Sequence, residues 1–180
     1  MATEIERKFL VDQALWQQLS RPEGKHYRQG YLSTDARKTI RVRISADEAF
    51  LTVKGASTGI SRTEIECGIP RETAMELLSE FVDAQVEKVR YVIPFAGHHW
   101  EVDEFIGDNA GLVVAEIELS HEDETFEKPE WVKEEVSDDE RYYNASLAVK
   151  PYRNWNQHET EHHGSTDTNR SPDPAVGTGW

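Results

Sequence analysis

The sequence has little cysteine, a shortage of cations relative to acids and no long apolar run. Its single cysteine, Cys67, excludes an internal disulfide. Acidic residues outnumber lysine plus arginine by 34 to 20, and the formal charge of -14 argues against general affinity for nucleic acid or anionic membranes. The N-terminus lacks the charged and apolar run of a signal peptide, and no stretch approaches membrane-spanning length. We therefore expect a protein of the reducing cytoplasm, in which any site for a polyanion is local and enclosed.

The length of 180 residues suits a single domain with a core of its own. We expect this domain to span residues 1–155, since no break in composition precedes its end. Over residues 156–180 the apolar side chains nearly vanish, which predicts a flexible polar tail. Three histidines in the tail, at 158, 162 and 163, could bind a soft divalent metal, but we interpret them as part of a solvated tail and assign it no function.

Segments with strand-like composition alternate with turn-forming residues through most of the domain. Predicted strands cover residues 3–10, 25–33, 38–44, 49–54, 62–69, 84–93, 98–105 and 111–120. Helices are expected at 11–19, at 70–81 with Ala74, Leu77, Leu78 and Phe81 as its apolar stripe, and after Ser137, where Glu140 would complete a capping box ahead of Leu147 and Val149. Hairpin-length links predict a mainly β (α+β) fold, an eight-stranded antiparallel sheet closed or nearly closed into a β-barrel with flanking helices.

The opening stretch TEIERKFL places Glu4, Glu6 and Lys8 on one face of a strand. Two carboxylates beside an amine suit a divalent metal held next to a phosphate, because carboxylates are hard oxygen ligands and the ammonium offsets anionic oxygens. A solvated strand face explains the same octapeptide. Arg7 falls on the opposite, apolar face, so we expect it outside any enclosed site.

Charged residues share one face of nearly every predicted strand, and they sort by sign. The cations are Arg41, Arg43, Lys54, Lys88 and Arg90; the acids are Glu4, Glu6, Asp103, Glu116 and Glu118; one mixed strand carries Arg62, Glu64 and Glu66. An ordinary barrel with a charged exterior gives the same alternation. Amphipathic helices, however, need an apolar sheet surface to cover, which would turn the charges inward. Enclosed like charges need a compensating ligand, and a metal with a polyphosphate would compensate both sets.

The EIERK stretch resembles the ExExK signature of the CYTH superfamily, the triphosphate tunnel metalloenzymes. Later motifs agree with that family in order: RQGYLS, TIRVRI, LTVKG, SRTEIE, KVRY, EVDEF, EIEL and EEVSDDERYYN. The similarity runs from Thr3 to Trp155 and is greatest to short bacterial members that hydrolyse inorganic triphosphate.

This resemblance implies a tunnel, open at both ends, with a triphosphate bound by cations and a metal bound by acids. The substrate-binding residues would be Lys8, Arg41, Arg43, Lys54, Lys88 and Arg90, and the metal ligands Glu4, Glu6, Asp103, Glu116 and Glu118. The catalytic residues would be Lys8 and Tyr31, assisting the leaving group, and Glu6 or Glu118, activating water. Tyr31 is equally interpreted as a structural tyrosine. Arg62, Glu64 and Glu66 would support these groups, either reaching metal or pairing with neighbouring charges.

Carboxylate ligation favours Mg²⁺ or Mn²⁺ over Zn²⁺. We therefore expect metal-dependent hydrolysis of a triphosphate, in first place inorganic triphosphate to diphosphate and phosphate. Class IV adenylate cyclases and thiamine or nucleoside triphosphatases share these residues, and a non-catalytic binder of polyphosphate or nucleotide would use the same lumen. The expected partner is a triphosphate-containing small molecule, with neither nucleic acid nor a membrane, and a homodimer is compatible with the resemblance.

Overall fold

The computed structural model describes residues 2–155, so the predicted tail at 156–180 lies outside the described residues. The strands are β1 (Ala2–Val11), β2 (Lys25–Asp35), β3 (Lys38–Ser45), β4 (Glu48–Thr58), β5 (Ser61–Gly68), β6 (Gln85–Phe95), β7 (His98–Ile106), β8 (Val113–Glu118) and β9 (Val132–Glu135). The α-helices are α1 (Gln13–Gln18), α2 (Arg71–Glu80) and α3 (Asn144–Val149), with 3-10 turns at Gly107–Asn109, Glu140–Tyr142 and Tyr152–Asn154. None of the helices described combines the length and apolar character that a membrane span requires.

Eight of the strands form a closed antiparallel ring. Its order is β1-β5-β4-β3-β2-β6-β7-β8, and β8 pairs again with β1. The closure depends on β1, whose first half pairs with β5 and whose second half pairs with β8 through partners such as Lys8 and Glu116. The predicted eight-stranded, mainly β architecture is confirmed, while β9 was not predicted and adds a short ninth strand beside β1.

The outer surface of the ring carries apolar side chains that the first two helices and one long loop cover. Asp12 caps α1 by accepting a hydrogen bond from the Leu15 N–H at 3.1 Å, and the helix buries Trp16 against Trp131 and Tyr91. Arg7 also lies on this side, where it pairs with Glu135, as predicted from its place in the motif. The outward apolar face is therefore the one that packs, which leaves the charged face inside.

Helix α2 packs on β3 and β4 through two fully buried residues, Ala74 and Leu78. Gly30 on β2 leaves room for Val82, just after the helix, and for Leu78, because a Cβ there would lie 2.4 Å from a methyl carbon of Val82 and 2.9 Å from one of Leu78. The predicted stripe was wrong at Phe81, which follows the last helical residue and is 68% exposed.

One end of the ring is packed by the C-terminal segment, defined here as residues 136–155. Leu10, Phe105 and Val114 alternate onto the same face as the charged residues of their strands and meet Tyr142 and Leu147 from this segment. An apolar cluster therefore fills part of the ring at this end.

The C-terminal segment does not begin with the predicted capping box. Asp139 caps the short 3-10 turn by accepting from the Arg141 N–H, and α3 starts only at Asn144. The Ser137 hydroxyl oxygen instead accepts the Lys8 N–H at 2.9 Å, tying the segment to β1. Cys67 lies on the outer face of β5 and is exposed.

We predict that Leu147→Ala will lower the free energy of unfolding by about 2–5 kcal/mol, because Leu147 is fully buried in the cluster that anchors α3. Val149→Ala is the matched control on the same helix, where the side chain is 70% exposed and truncation should cost little. Urea denaturation followed by circular dichroism measures both. Equal effects of the two substitutions would show that this cluster does not hold the segment.

Candidate active site

The predicted site residues line the interior of the ring, each placed there by strand alternation. β1 contributes Glu4, Glu6 and Lys8; β3 contributes Arg41 and Arg43; β4 contributes Lys54; β6 contributes Lys88 and Arg90; β7 and β8 contribute Asp103, Glu116 and Glu118. Four of them, Lys8, Lys88, Asp103 and Glu116, are buried. Ionised groups at such depth need partners, and the ring provides them as a set of ion pairs.

The deepest of these ion pairs joins β6 to β7. Asp103 accepts from Lys88 Nζ at 2.6 Å and from Arg90 Nε and Nη2, both at 2.7 Å. Burial alone would raise the pKa of Asp103, but Arg90 and Lys88 outweigh it and lower that pKa below its usual value. Burial lowers the pKa of Lys88 to about 7, even though Asp103 opposes the shift, and Arg90 and Arg43 add to the lowering. A further anion beside Lys88 would therefore raise its pKa and favour the charged ammonium.

A second pair links β1 to β8. Lys8 Nζ lies 3.0 Å from Glu116 Oε1, and Arg90 Nη2 reaches Glu116 Oε2 at 3.2 Å. Burial favours the neutral carboxyl, yet Lys8 and Arg90 hold the pKa of Glu116 well below its usual range. Burial likewise opposes the charge on Lys8, but Glu116 and Glu6 raise its pKa to about 12. Both groups therefore stay ionised inside the ring.

The C-terminal segment contacts the same two lysines. The Tyr142 carbonyl accepts from Lys8 Nζ at 3.3 Å, and Asn144 Oδ1 accepts from Lys88 Nζ at 3.1 Å. Neutral acceptors orient the ammonium groups without neutralising them. The ERYYN motif thus contributes to the wall of the site.

Carboxylates of like charge gather on the wall formed by β1 and β8. Glu6 and Glu118 are directly opposed across the two strands. Burial, followed by Glu116 and Glu4, raises the pKa of Glu6 to about 7. The pKa of Glu118 is raised by partial burial, then by Glu4 and Glu101. Burial and mutual repulsion both disfavour the ionised carboxylates, and a bound cation would favour them.

The donor set fits a hard divalent metal, since every candidate ligand is a carboxylate oxygen. Lys54 forms an ion pair with Glu4, with Nζ 2.6 Å from Oε2, and a second with Glu64, whose Oε2 is 3.2 Å from Nζ. Within residues 2–155 no three His, Cys, Asp or Glu side chains already surround one point. A metal would therefore have to draw the carboxylates together, and it would have to displace one cation from Glu4 and two cations from Asp103.

The opposite wall, formed by β3 and its neighbours, is cationic. Arg41 donates to Thr52 Oγ1 at 3.1 Å and to Glu66 at 3.4 Å, but its buried Nε has no acceptor among the described residues. Burial lowers the pKa of Arg43 to about 10, with Arg41 and Arg90 adding to the effect. An unpaired buried N–H and mutually repelling guanidinium groups are what an anion would satisfy.

A cavity of about 420 Å³ opens between this wall and the C-terminal segment. Its lining includes Glu6, Lys8, Tyr31, Arg41, Lys54 and Arg62, together with Tyr143 and Asn144. Arg62 donates to the Gly55 carbonyl at 2.8 Å and so braces the β4–β5 turn. Of the predicted supporting residues, Glu64 pairs with Lys54 as expected, while Glu66 pairs with Arg41.

Sequence reasoning missed the neutral polar members of the site. Gln29 and Thr52 are fully buried, and Asn144 contacts Lys88. Gln29 was detectable in principle, because it lies two residues before Tyr31 and so on the same face of β2. Asn144 carried no comparable signal, since it follows an irregular segment.

The chain is similar in sequence to one domain family and to known proteins, and similar in fold to solved structures. Residues 2–152 match the model of the CYTH domain. An inorganic triphosphatase of Acetivibrio thermocellus is 48% identical over 158 residues, covering 87% of this chain and all of that protein. An inorganic triphosphatase of Nitrosomonas europaea is 38% identical, covering 82% of this chain and 97% of that protein. A crystal structure of an inorganic triphosphatase superposes with a TM-score of 0.57 at 34% identity, covering 83% of this chain and 96% of that chain.

We predict that Glu6→Gln will stabilise the metal-free protein above pH 7 but not at pH 4.5. The pKa of Glu6 rises from 4.5 to about 7 on folding, so the native state holds the proton more tightly and stability falls as pH rises through this window. Glutamine does not titrate and escapes this loss. The expected gain at pH 8 is about 1–2 kcal/mol, less than the full linkage value because the side chain is half-buried.

Chemical denaturation from pH 4.5 to 8, with chelator and without phosphate, measures this gain. Glu127→Gln is the control, since Glu127 is exposed and outside the ring. A difference between Glu6→Gln and the native protein that does not change with pH would contradict the account.

Proposed function

We propose that this chain, which belongs to the CYTH domain family, hydrolyses inorganic triphosphate to diphosphate and phosphate in a metal-dependent reaction. The observation that carries the proposal is the enclosed wall of cations with the unpaired Arg41 N–H, facing a wall of repelling carboxylates. The two inorganic triphosphatases of similar length support this choice of substrate. We place the reaction in the cytoplasm, in line with the single cysteine.

The cationic residues would bind and orient the substrate. Phosphoryl transfer depends on positioning and charge neutralisation more than on covalent chemistry from the protein. Arginine forks bind phosphate oxygens in fixed directions, whereas lysines act as point charges. The proposed set is Lys8, Arg41, Arg43, Lys54, Lys88 and Arg90. Because Lys88 has a pKa of about 7, a bound phosphate would also favour its charged form.

The carboxylates Glu4, Glu6 and Glu118 would hold the metal, for which we propose Mg²⁺ or Mn²⁺. When bound, the metal neutralises charge on the bridging and terminal phosphate oxygens. Glu116 and Asp103 stay predicted ligands, although each forms ion pairs with two cations. Glu4 is released for the metal when Lys54 turns to the substrate, so the two would bind together.

The remaining roles are water activation and stabilisation of the leaving group. Glu6 and Glu118, which are directly opposed on β1 and β8, are the candidates for the first role, in which a carboxylate accepts a proton from water. Tyr31 and Lys8 line the same cavity and would stabilise the departing phosphate oxygen. Arg62, Glu64 and Glu66 would keep Lys54 and Arg41 in place.

The experiment gives the purified protein triphosphate, ATP or thiamine triphosphate with Mg²⁺ or Mn²⁺ and follows the products. We expect diphosphate and phosphate from triphosphate, higher kcat/KM for triphosphate than for ATP, and loss of turnover with chelator. Cyclic AMP with diphosphate from ATP would redirect the proposal to a cyclase. Tight binding of all three without turnover would make the protein a receptor.

Glu118→Gln is the matched control for contaminating phosphatase. This substitution removes one proposed ligand on the open side of the wall, and it should abolish metal-dependent turnover while the thermal midpoint stays near that of the native protein. Full activity in this variant would place the metal elsewhere.

A further inference from the structure

Gln29 is fully buried on the inner face of β2 and bridges two residues of the proposed site. Its Oε1 accepts from Arg43 Nε at 3.0 Å, and its Nε2 donates to the Tyr31 hydroxyl at 2.9 Å. The register of β2 with β3 sets this spacing, because Gln29 is opposite Arg43 and Tyr31 is opposite Arg41. The amide therefore holds a side chain on each of two neighbouring strands.

The chemistry of the partners fixes which way the amide points. A guanidinium group has donors and no acceptor, so the Gln29 oxygen must face Arg43. The Gln29 nitrogen must then face Tyr31, and the tyrosine oxygen must accept from it. The hydroxyl hydrogen of Tyr31 is consequently not used in this contact.

We propose that Gln29 is a positioning residue that turns the Tyr31 hydroxyl hydrogen toward the bound phosphate chain while holding Arg43. Tyr31 lines the cavity together with Lys8 and Arg41, so a phosphate oxygen bound there is the acceptor available to it. The inference rests on the proposed function for its substrate. No bond is broken by Gln29 or Tyr31; the step is a hydrogen bond that strengthens as charge develops on the leaving oxygen.

The test is Gln29→Glu combined with Tyr31→Phe. A glutamate of nearly the same shape keeps the acceptor for Arg43 but has no donor for Tyr31, so the hydroxyl hydrogen turns to residue 29 and away from phosphate. We expect kcat for triphosphate to fall about 10- to 100-fold with little change in KM, the value of one charge-assisted hydrogen bond. In the Tyr31→Phe background the same substitution should change kcat less than about 3-fold, because the two residues act as a unit.

A merely structural or electrostatic role predicts a different result. If the new carboxylate acts by repelling phosphate, Gln29→Glu will lower activity equally in both backgrounds, which overturns the proposal. Unchanged kcat in Gln29→Glu also overturns it. Gln85→Glu is the matched control, since Gln85 is on the outer face of β6 and donates to the Leu78 carbonyl. If Gln29→Glu does not fold, Gln29→Met, which removes both hydrogen bonds of residue 29, enters the same cycle. The part of its loss in kcat that comes from Arg43 should remain in the Tyr31→Phe background, and the part that comes from Tyr31 should disappear there. An equal loss in both backgrounds overturns the proposal.

A second readout separates this inference from the proposed function. In protein labelled with ¹³C at tyrosine Cζ, the Tyr31 resonance, identified by its loss in Tyr31→Phe, should shift in Gln29→Glu without any substrate. A shift with no triphosphate turnover by the native protein would sink the proposed function and keep the hydrogen-bond orientation. Native turnover with no shift would overturn the role of Gln29 alone.

Discussion

Enclosing ionised side chains costs several kcal/mol for each ion that lacks a partner, and this constraint governs how the ring is built. Lys88 and Asp103, the deepest opposed charges, pair directly across neighbouring strands. Arg90 then joins Asp103 to Glu116, so that the β6, β7 and β8 walls share one network. Because side chains alternate between the two faces of each strand, the charged residues point into the lumen and the apolar residues point outward, where helices and loops cover them.

The same network leaves its charges incompletely balanced where a ligand would lie. Burial, and then repulsion from Glu116 and Glu4, raises the pKa of Glu6. Burial and the cationic neighbours of Arg43 lower the pKa of that guanidinium group. A divalent metal and a triphosphate would relieve both strains at once. The ion pair between Lys54 and Glu4 joins a proposed phosphate-binding cation to a proposed metal ligand, so we expect substrate and metal together to replace it.

Most of the ring and its charged lining could be predicted from the sequence, because alternation along a strand assigns Arg41 or Glu116 to a face whatever its partners are. The structure of the C-terminal segment could not be predicted in this way. Ser137 carries the pattern of a helix cap but binds the Lys8 backbone, since β9 brings it beside β1. Gln29 and Asn144 are uncharged, so no sign pattern marked them, and their roles follow only from contacts between residues far apart in sequence or on adjacent strands.

We propose that the cations lining the ring bind phosphates and that the carboxylates of β1 and β8 bind the metal. A crystal structure with Mn²⁺ and a non-hydrolysable imido analogue of triphosphate, collected at the manganese absorption edge, tests it most directly. The account predicts an anomalous peak within ligand distance of Glu4, Glu6 or Glu118, and phosphate density in contact with Arg41 and the neighbouring cations. Manganese and analogue bound outside the ring, or a lumen whose ion pairs stay unchanged, would contradict the account.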